Sequence, residues 1–473
     1  MKFLLTKARK LFSDIKNAIN TAPPRIQLFF IVNLLKLTSY VVDWLASLLN
    51  FQPLSTVSSI ILILWLGAML IIALPQTDAL LTAIQHWLKP VWRISITILA
   101  IVISIETLAI GAIYISGITA HTSQPSTAHT IIDAFTYSDA TALTIQAADN
   151  LLDGKNPYAY ANIITALESS PEAYEKLTPL RTGSFANSFP YPTEEKLKTV
   201  WLSTITNPNV IPSEIESKFS YPAGAFLLLV PLKALGINDL RVTLIILLIP
   251  TLLYTVMKTP SHKRWYLIFG ILLSVELWNT FFASDTRLLY LPFILTSWLL
   301  AQKHSWLSAI LMGIAIATKQ NAWFFLPFYF ILIWQTTGRH IALRSIAITL
   351  SVFIITNAPF IVADPKLWLS SIMAPMTDKL FPMGNGLISL VTSGLVPLNS
   401  STLFSLLEML AFVGGIIWYV RYARHYPHTG PLLAVIPIFF AWRSLWGYFY
   451  FVDIILLAAI LNQEQCHAPK PLI

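Results

Sequence analysis

The chain has 473 residues, of which 55% are hydrophobic and 11% charged, with a single cysteine and a formal net charge of +8. A soluble globular domain carries about a quarter charged residues, so the composition excludes one and points to a polytopic membrane protein. The lone Cys466 excludes an intrachain disulfide and a CxxC metal site, and in such a chain positive charge reports loop orientation rather than nucleic-acid binding.

Residues 1–26 open the chain as a basic interfacial helix. Leu4, Leu5, Ala8, Leu11, Phe12, Ile15 and Ile19 recur at helical spacing, with Lys2, Lys7, Arg9, Lys10 and Lys16 between them. The stretch lacks the apolar centre and small-residue cleavage site of a secretory signal. Hydropathy then predicts spans near 27–50, 55–74, 94–118, 240–257, 265–283, 288–301, 306–318, 322–335, 341–362, 403–420, 431–441 and 445–461. The expected fold is an all-α bundle of about twelve transmembrane helices. Residues 27–93 supply additional N-terminal membrane helices, 94–462 form the main membrane domain, and 463–473 are a cytoplasmic tail. The span at 27–50 is the weakest, because it contains Lys36 and Asp43.

Lys and Arg gather in alternate short connections, including Lys89 and Arg93, Lys258, Lys263 and Arg264, and Arg421 and Arg424. Placing these inside puts both termini in the cytoplasm and the long loop 119–221 outside. That loop is acidic on balance and rich in proline, so short juxtamembrane helices joined by ordered turns are expected there. The apolar stretch 221–236 is short for a span and contains Pro222 and Pro231. It reads either as a dip that returns to the outer side, which keeps the charge parity, or as a true span. Irregular backbone at membrane depth lines a cavity or is buried in protein, so a dip marks the floor of a site. No GxGxxG or GKS/GKT motif, internal repeat or inverted hydropathy symmetry occurs.

With this topology, unusual polar residues collect at one face: Asp133 and Asp139 in the long loop, "SDTR" (284–287), "TKQN" (318–321), "ADPKLW" (363–368) with "MTDK" (376–379), and "WRSLW" (442–446). Charges beside apolar helix ends are costly and usually functional. Lys319, Arg443 and Arg287 suit a phosphate, and a carboxylate opposite them suits a hydroxyl proton. Each also has a plainer reading. Asp139 suits a helix N-cap for 140–152, and Asp364 before Pro365 suits another. Arg287 suits pairing with Asp285, while Lys319 and Arg443 suit snorkelling to headgroups. Asp149 and Asp153 suit a solvated helix face, and Glu106 and Glu276 suit helix–helix hydrogen bonds. His121, His129 and the other histidines show no HxxxH or HxxE spacing. No metal is expected from them, while a divalent ion held by carboxylates remains compatible with the sequence. In "DGKNPYAY" (153–160), Gly154, Asn156 and Pro157 are turn residues, and Tyr158 and Tyr160 suit an interface.

An Asp upstream of "LLDGKNPY" (151–158), the "YPAGAFLLLVP" segment (221–231) and "GIAIATKQNAWFFLPF" (313–328), in this order, resemble the GT-C superfamily of integral membrane glycosyltransferases, near the mannosyltransferase-type branch labelled as a domain of unknown function. The resemblance covers roughly residues 94–460. It implies a GT-C-like bundle with an extracytoplasmic catalytic loop in the plasma membrane. It also implies a polyprenyl-phosphate hexose donor, mannose being the expected sugar, and a glycan or glycolipid acceptor. By position, Asp139 matches the catalytic base and Lys319 the lysine near the donor, while Asn156, Tyr158 and Tyr221 match residues shaping the site. An adjacent Asp-Glu pair is absent, Ala223 replaces the second proline of a "YPP" motif, and Asp133 lies nearer the preceding span, so Asp133 is a rival base. A lipid-linked saccharide transporter or export component is the alternative function; it would string charges across the membrane.

Overall fold

All twelve apolar runs fold, in whole or in part, as helix. The computed structural model describes residues 13–121, 138–168, 173–206, 208 and 210–462, with the side chains of 106 and 109–121 outside that description. The N-terminal part of the chain forms α1 (Pro24–Leu48), α2 (Pro53–Ala73) and α3 (Gln85–His121), the last crossing the expected boundary at 93/94. After the long loop begins, α4 (Asp139–Leu152) starts a polar segment built from short pieces, among them Ile163–Leu167 and Glu194–Ile205. This is the architecture its many prolines lead one to expect.

The membrane part continues with α5 (Leu240–Lys258), α6 (Arg264–Leu272), α7 (Val275–Phe282), α8 (Leu291–Leu300), α9 (Ser305–Thr318), α10 (Leu326–Thr337) and α11 (Arg339–Ala363). Next come α12 (Pro365–Thr377), α13 (Thr402–Tyr422), α14 (Gly430–Phe439) and α15 (Val452–Asn462). By length and composition 6 of these, α1, α2, α3, α5, α11 and α13, can cross a bilayer; α6 and α7 make a seventh if the pair, bent by 53°, is one span. The expected figure of about twelve full spans is therefore not met by length among the described residues. Hydropathy counts apolar runs, whereas continuous helix depends on local breaks. The run 265–283, for example, is interrupted by the bend between α6 and α7, and the runs near 288–301, 306–318, 431–441 and 445–461 fold as helices of 10–17 residues.

Helix α1 packs along α2 and against α3, and α9 lies between α8 and α11. Small and hydroxyl residues set these close approaches, as is usual between apolar helices. Ser308 donates to the carbonyl of Ser297 at 2.7 Å, and Thr349 of α11 donates to the carbonyl of Ala309 at 3.0 Å. Lys36, which weakened the expected span at 27–50, is buried in α1, with its ammonium 2.6 Å from Asp453 of α15 and 3.2 Å from Glu276 of α7. Glu276 thus does link helices, through an ion pair.

The stretch 221–236 is not one helix. It forms two single turns, Gly224–Leu227 and Val230–Lys233, and neither is long enough to cross a membrane. An otherwise all-α expectation meets one exception. Strand β1 (Met383–Gly384) pairs in parallel with β2 (Arg443–Ser444), with Met383 opposite Arg443. The pairing ties the turn after α12 to the segment that carries Arg443.

Candidate active site

Helix α4 begins at the site. Its N-cap is Ser138, whose hydroxyl accepts from Thr141 N; the cap is therefore not Asp139, which occupies the first helical position. Freed from capping, Asp139 turns its carboxylate toward the tertiary structure. One oxygen accepts from Ala140 N at 2.7 Å and the other accepts a hydrogen bond from the Thr178 hydroxyl. Burial pushes the Asp139 carboxyl above the usual carboxylate range, against those hydrogen bonds and the nearby charge of Arg443.

Lys319 stands at the break after α9. Its side chain is buried, its ammonium donates to the Thr286 hydroxyl at 3.0 Å, and it lies 4.4 Å from the centroid of the Tyr221 ring. Burial lowers its pKa to about 8; Asp285 and Asp139 oppose that drop and Arg287 adds to it. Arg443, in β2, is half-buried and donates to the Met383 sulfur at 3.7 Å. Among the described residues neither Lys319 nor Arg443 makes a direct ion pair. Arg287 differs. It forks onto Asp285, its Nε donating at 2.6 Å and a terminal nitrogen donating to the same oxygen, so the pairing anticipated for it is the one observed. Burial opposes the ionised form of Asp285, yet Arg287 holds that carboxyl below its ordinary range.

Asp139, at the start of α4, therefore lies within electrostatic reach of Arg443 in β2, of Lys319 at the break after α9 and of Tyr221 at the start of the 221–236 segment, while Arg287, in the turn after α7, lies within reach of Lys319 and Tyr221. Tyr158 supports them from behind, its hydroxyl donating to the Tyr221 carbonyl at 2.9 Å. Asn156 works within its own turn, where its side chain accepts from Tyr158 N at 3.0 Å. Asp133 lies outside the described residues, as does the side chain of Glu106. Asp364 caps α12 through Leu367 N. Asp149 pairs with Lys233 and Asp153 with Lys155, both carboxylates being exposed. Thr178 and Tyr191 join the cluster without any signal in the sequence. Burial raises Tyr191 to about 12, with Arg443 and Asp139 as its charged neighbours. Isolated hydroxyl residues in a loop carry no periodicity or spacing that could have marked them.

Gly224 fixes how closely the 221–236 segment approaches Lys319. A Cβ there would clash with the Ala317 carbonyl oxygen and come within 2.8 Å of its carbon. Since backbone cannot swing away as a side chain can, Gly224→Ala is expected to destabilise the protein by about 1–3 kcal/mol. It should also displace Lys319, read as a higher thermal-shift loss than Gly414→Ala, where nothing stands within 4 Å of an added Cβ.

Fold and site together define a helical membrane protein with a half-buried carboxylate and two cations, one at a helix end and one in β2, that lack an ion-pair partner among the described residues. A family model described as Glycosyltransferase family 87 matches residues 219–442, a little under half of the chain. The matched family is one of membrane, GT-C-like glycosyltransferases. It includes Tyr221, Asp285, Arg287 and Lys319, ends one residue before Arg443, and leaves Asp139 outside. No curated protein and no solved structure gives a match.

Proposed function

We propose that the chain moves a hexose, mannose being the expected sugar, from a polyprenyl-phosphate donor to a hydroxyl acceptor at the outer face of the plasma membrane, with inversion. The observation that carries this reading is the meeting of Asp139 with Lys319 and Arg443, two cations with no ion-pair partner among the described residues. A lipid phosphate is a tolerable leaving group where preset cations meet its charge. Lys319 would meet it as a point charge and Arg443 through a planar fork. Asp139 takes the acceptor proton from the opposite face of the sugar, which a single displacement requires and which needs no covalent intermediate. Arg287 contributes field to the pocket while held by Asp285. Thr178 orients the base.

The saccharide-export reading needs charges along a path through the membrane. The buried Lys36, Glu276 and Asp453 instead surround a cavity of about 10 Å³, which is the size of one water. They fasten three helices together.

The test is sugar transfer by the purified full chain from polyprenyl-phosphate mannose, read as kcat/KM against pH. Asp139 must be ionised to accept a proton, and its pKa is raised, so the acid limb is expected above the usual carboxylate range. Lys319 must be protonated to meet the phosphate, so activity is expected to fall as pH rises through about 8. A guanidinium stays charged throughout; Lys319→Arg should therefore carry the basic limb upward, and a limb left in place would assign it to another group.

A further inference from the structure

Next to the loop that carries Thr178 lies an open groove of about 490 Å³, lined by segments 180–182 and 211–218, by the turn 377–379 and by Tyr158. We propose that this groove binds the acceptor as a neutral saccharide and delivers its hydroxyl to Asp139; the inference rests on the transferase reading.

Three observations place it there. First, groove and base share a wall. The Thr178 side chain donates to Asp139, while the carbonyl of the same residue accepts from Glu216 N at 2.9 Å. That wall is stiffened on both sides, Leu180 N donating to the Glu214 carbonyl at 2.8 Å and Arg181 N to the Lys379 carbonyl at 2.7 Å. Second, one relay of contacts joins the groove to Lys319, since Tyr158 both lines the groove and holds the Tyr221 carbonyl, and the Tyr221 ring lies under Lys319. Third, the groove's chemistry differs from that of the cation pair. Glu216 and Asp378 balance Lys218 and Lys379, and Lys218 lies 2.6 Å from Asp378. Such a lining has no excess charge for a phosphate.

It does have donors and acceptors in alternation. Carboxylates, ammonium groups and the hydroxyls of Thr182, Ser213 and Ser217 stand beside the apolar Leu180 and Ile211. Sugar hydroxyls both donate and accept, and sugar rings carry an apolar C–H face. The volume lies within the roughly 300–1,000 Å³ of small-molecule sites, room for a ligand far larger than an ion. Burial, then the hydrogen bond with Asp378, pushes Glu216 up to about 7, so near neutrality the pair can offer both a carboxyl donor and a carboxylate acceptor.

The transfer step balances with this placement. The acceptor O–H breaks with its proton passing to Asp139, the acceptor oxygen bonds to the anomeric carbon, and the bond from that carbon to the phosphate oxygen breaks with its electron pair leaving on the phosphate.

The experiment uses the full chain in nanodiscs, applied to an array of immobilised hexose, hexosamine and pentose oligosaccharides and titrated separately with undecaprenyl phosphate. The wild-type protein is expected to bind a subset of the glycans. Thr182→Trp, which fills the groove, and the near-isosteric Asp378→Asn, which keeps the measurement available if tryptophan unsettles the loop, should each weaken glycan binding about tenfold or more. Lys319→Ala should instead weaken undecaprenyl-phosphate binding. A wild-type chain that binds no glycan, or glycan binding indifferent to both groove substitutions, overturns the inference. Sugar transfer that survives both groove variants at full rate removes the groove and keeps the transferase. Groove-dependent glycan binding in a chain with no affinity for undecaprenyl phosphate does the reverse.

Discussion

Asp139→Asn is expected to lower sugar transfer from polyprenyl-phosphate mannose by roughly a hundred- to ten-thousand-fold, the usual contribution of a positioned general base, while expression and folding stay unchanged. Asparagine has nearly the shape of aspartate, and its carbonyl oxygen can still accept from Ala140 N or from the Thr178 hydroxyl. Ser138 remains to cap α4. What the substitution removes is the proton-accepting charge. Affinity for undecaprenyl phosphate should hold or rise, because a carboxylate near Arg443 disappears while Lys319 and Arg443 both remain. Membranes given radiolabelled donor supply the measurement, with Asp133→Asn assayed in parallel. Full transfer by the Asp139 variant would take it out of the mechanism, and loss in the Asp133 variant alone would hand the role to the rival carboxylate.

Much of the site is legible in the sequence, for a physical reason. Charges beside apolar helix ends are too costly to be incidental, so Asp139, Lys319, Arg443 and Arg287 stand out; the fold brings Arg443 and Lys319 within electrostatic reach of Asp139, and Arg287 within reach of Lys319. Apolar runs likewise give away the presence of the helices, though not their lengths. What stays hidden depends on contacts between distant segments. Ser138 and Asp139 are both good N-caps, and only the register of α4 decides between them. Thr178 reaches Asp139 because isolated bridges join Pro179 to Ile215 and Leu180 to Leu380, and nothing local announces such bridges. The groove follows from the same bridges, so neither Glu216 nor Asp378 can be assigned to a common wall from sequence. Length alone does not confirm twelve full spans, because the runs near 288–301, 306–318, 431–441 and 445–461 fold as helices of 10–17 residues and a bend between α6 and α7 interrupts the run 265–283.

Lys36 is the clearest case of a residue misread in isolation, and its replacement is expected to have the largest effect on stability. Its neutralising partners lie far along the chain, Asp453 being 417 residues away, so the sequence shows only a charge in an apolar run. In the folded protein all three side chains are buried, and the Lys36 ammonium also donates to the Tyr450 carbonyl at 3.3 Å. The pairing fastens α1 to α7 and α15. Tyr450 in turn donates to Thr280, and Tyr40 of α1 packs edge-on to Trp446, three residues from Arg443. Lys36→Met keeps the length and apolar stem but leaves two carboxylates buried without a counterion. Removing one partner of a buried ion pair typically costs about 3–5 kcal/mol, and a loss of that size is expected in thermal or denaturant unfolding in detergent. Adding Glu276→Gln and Asp453→Asn to Lys36→Met should recover most of it, because the buried charge is then gone from both sides. If the single variant is as stable as wild type, the three groups do not carry charge in the folded protein; if the triple variant is no better than the single, the loss comes from packing and not from electrostatics. Sugar transfer in the stabilised triple variant then reads whether the N-terminal helix positions the Arg443 segment, since a purely stabilising role leaves the KM for donor where it was.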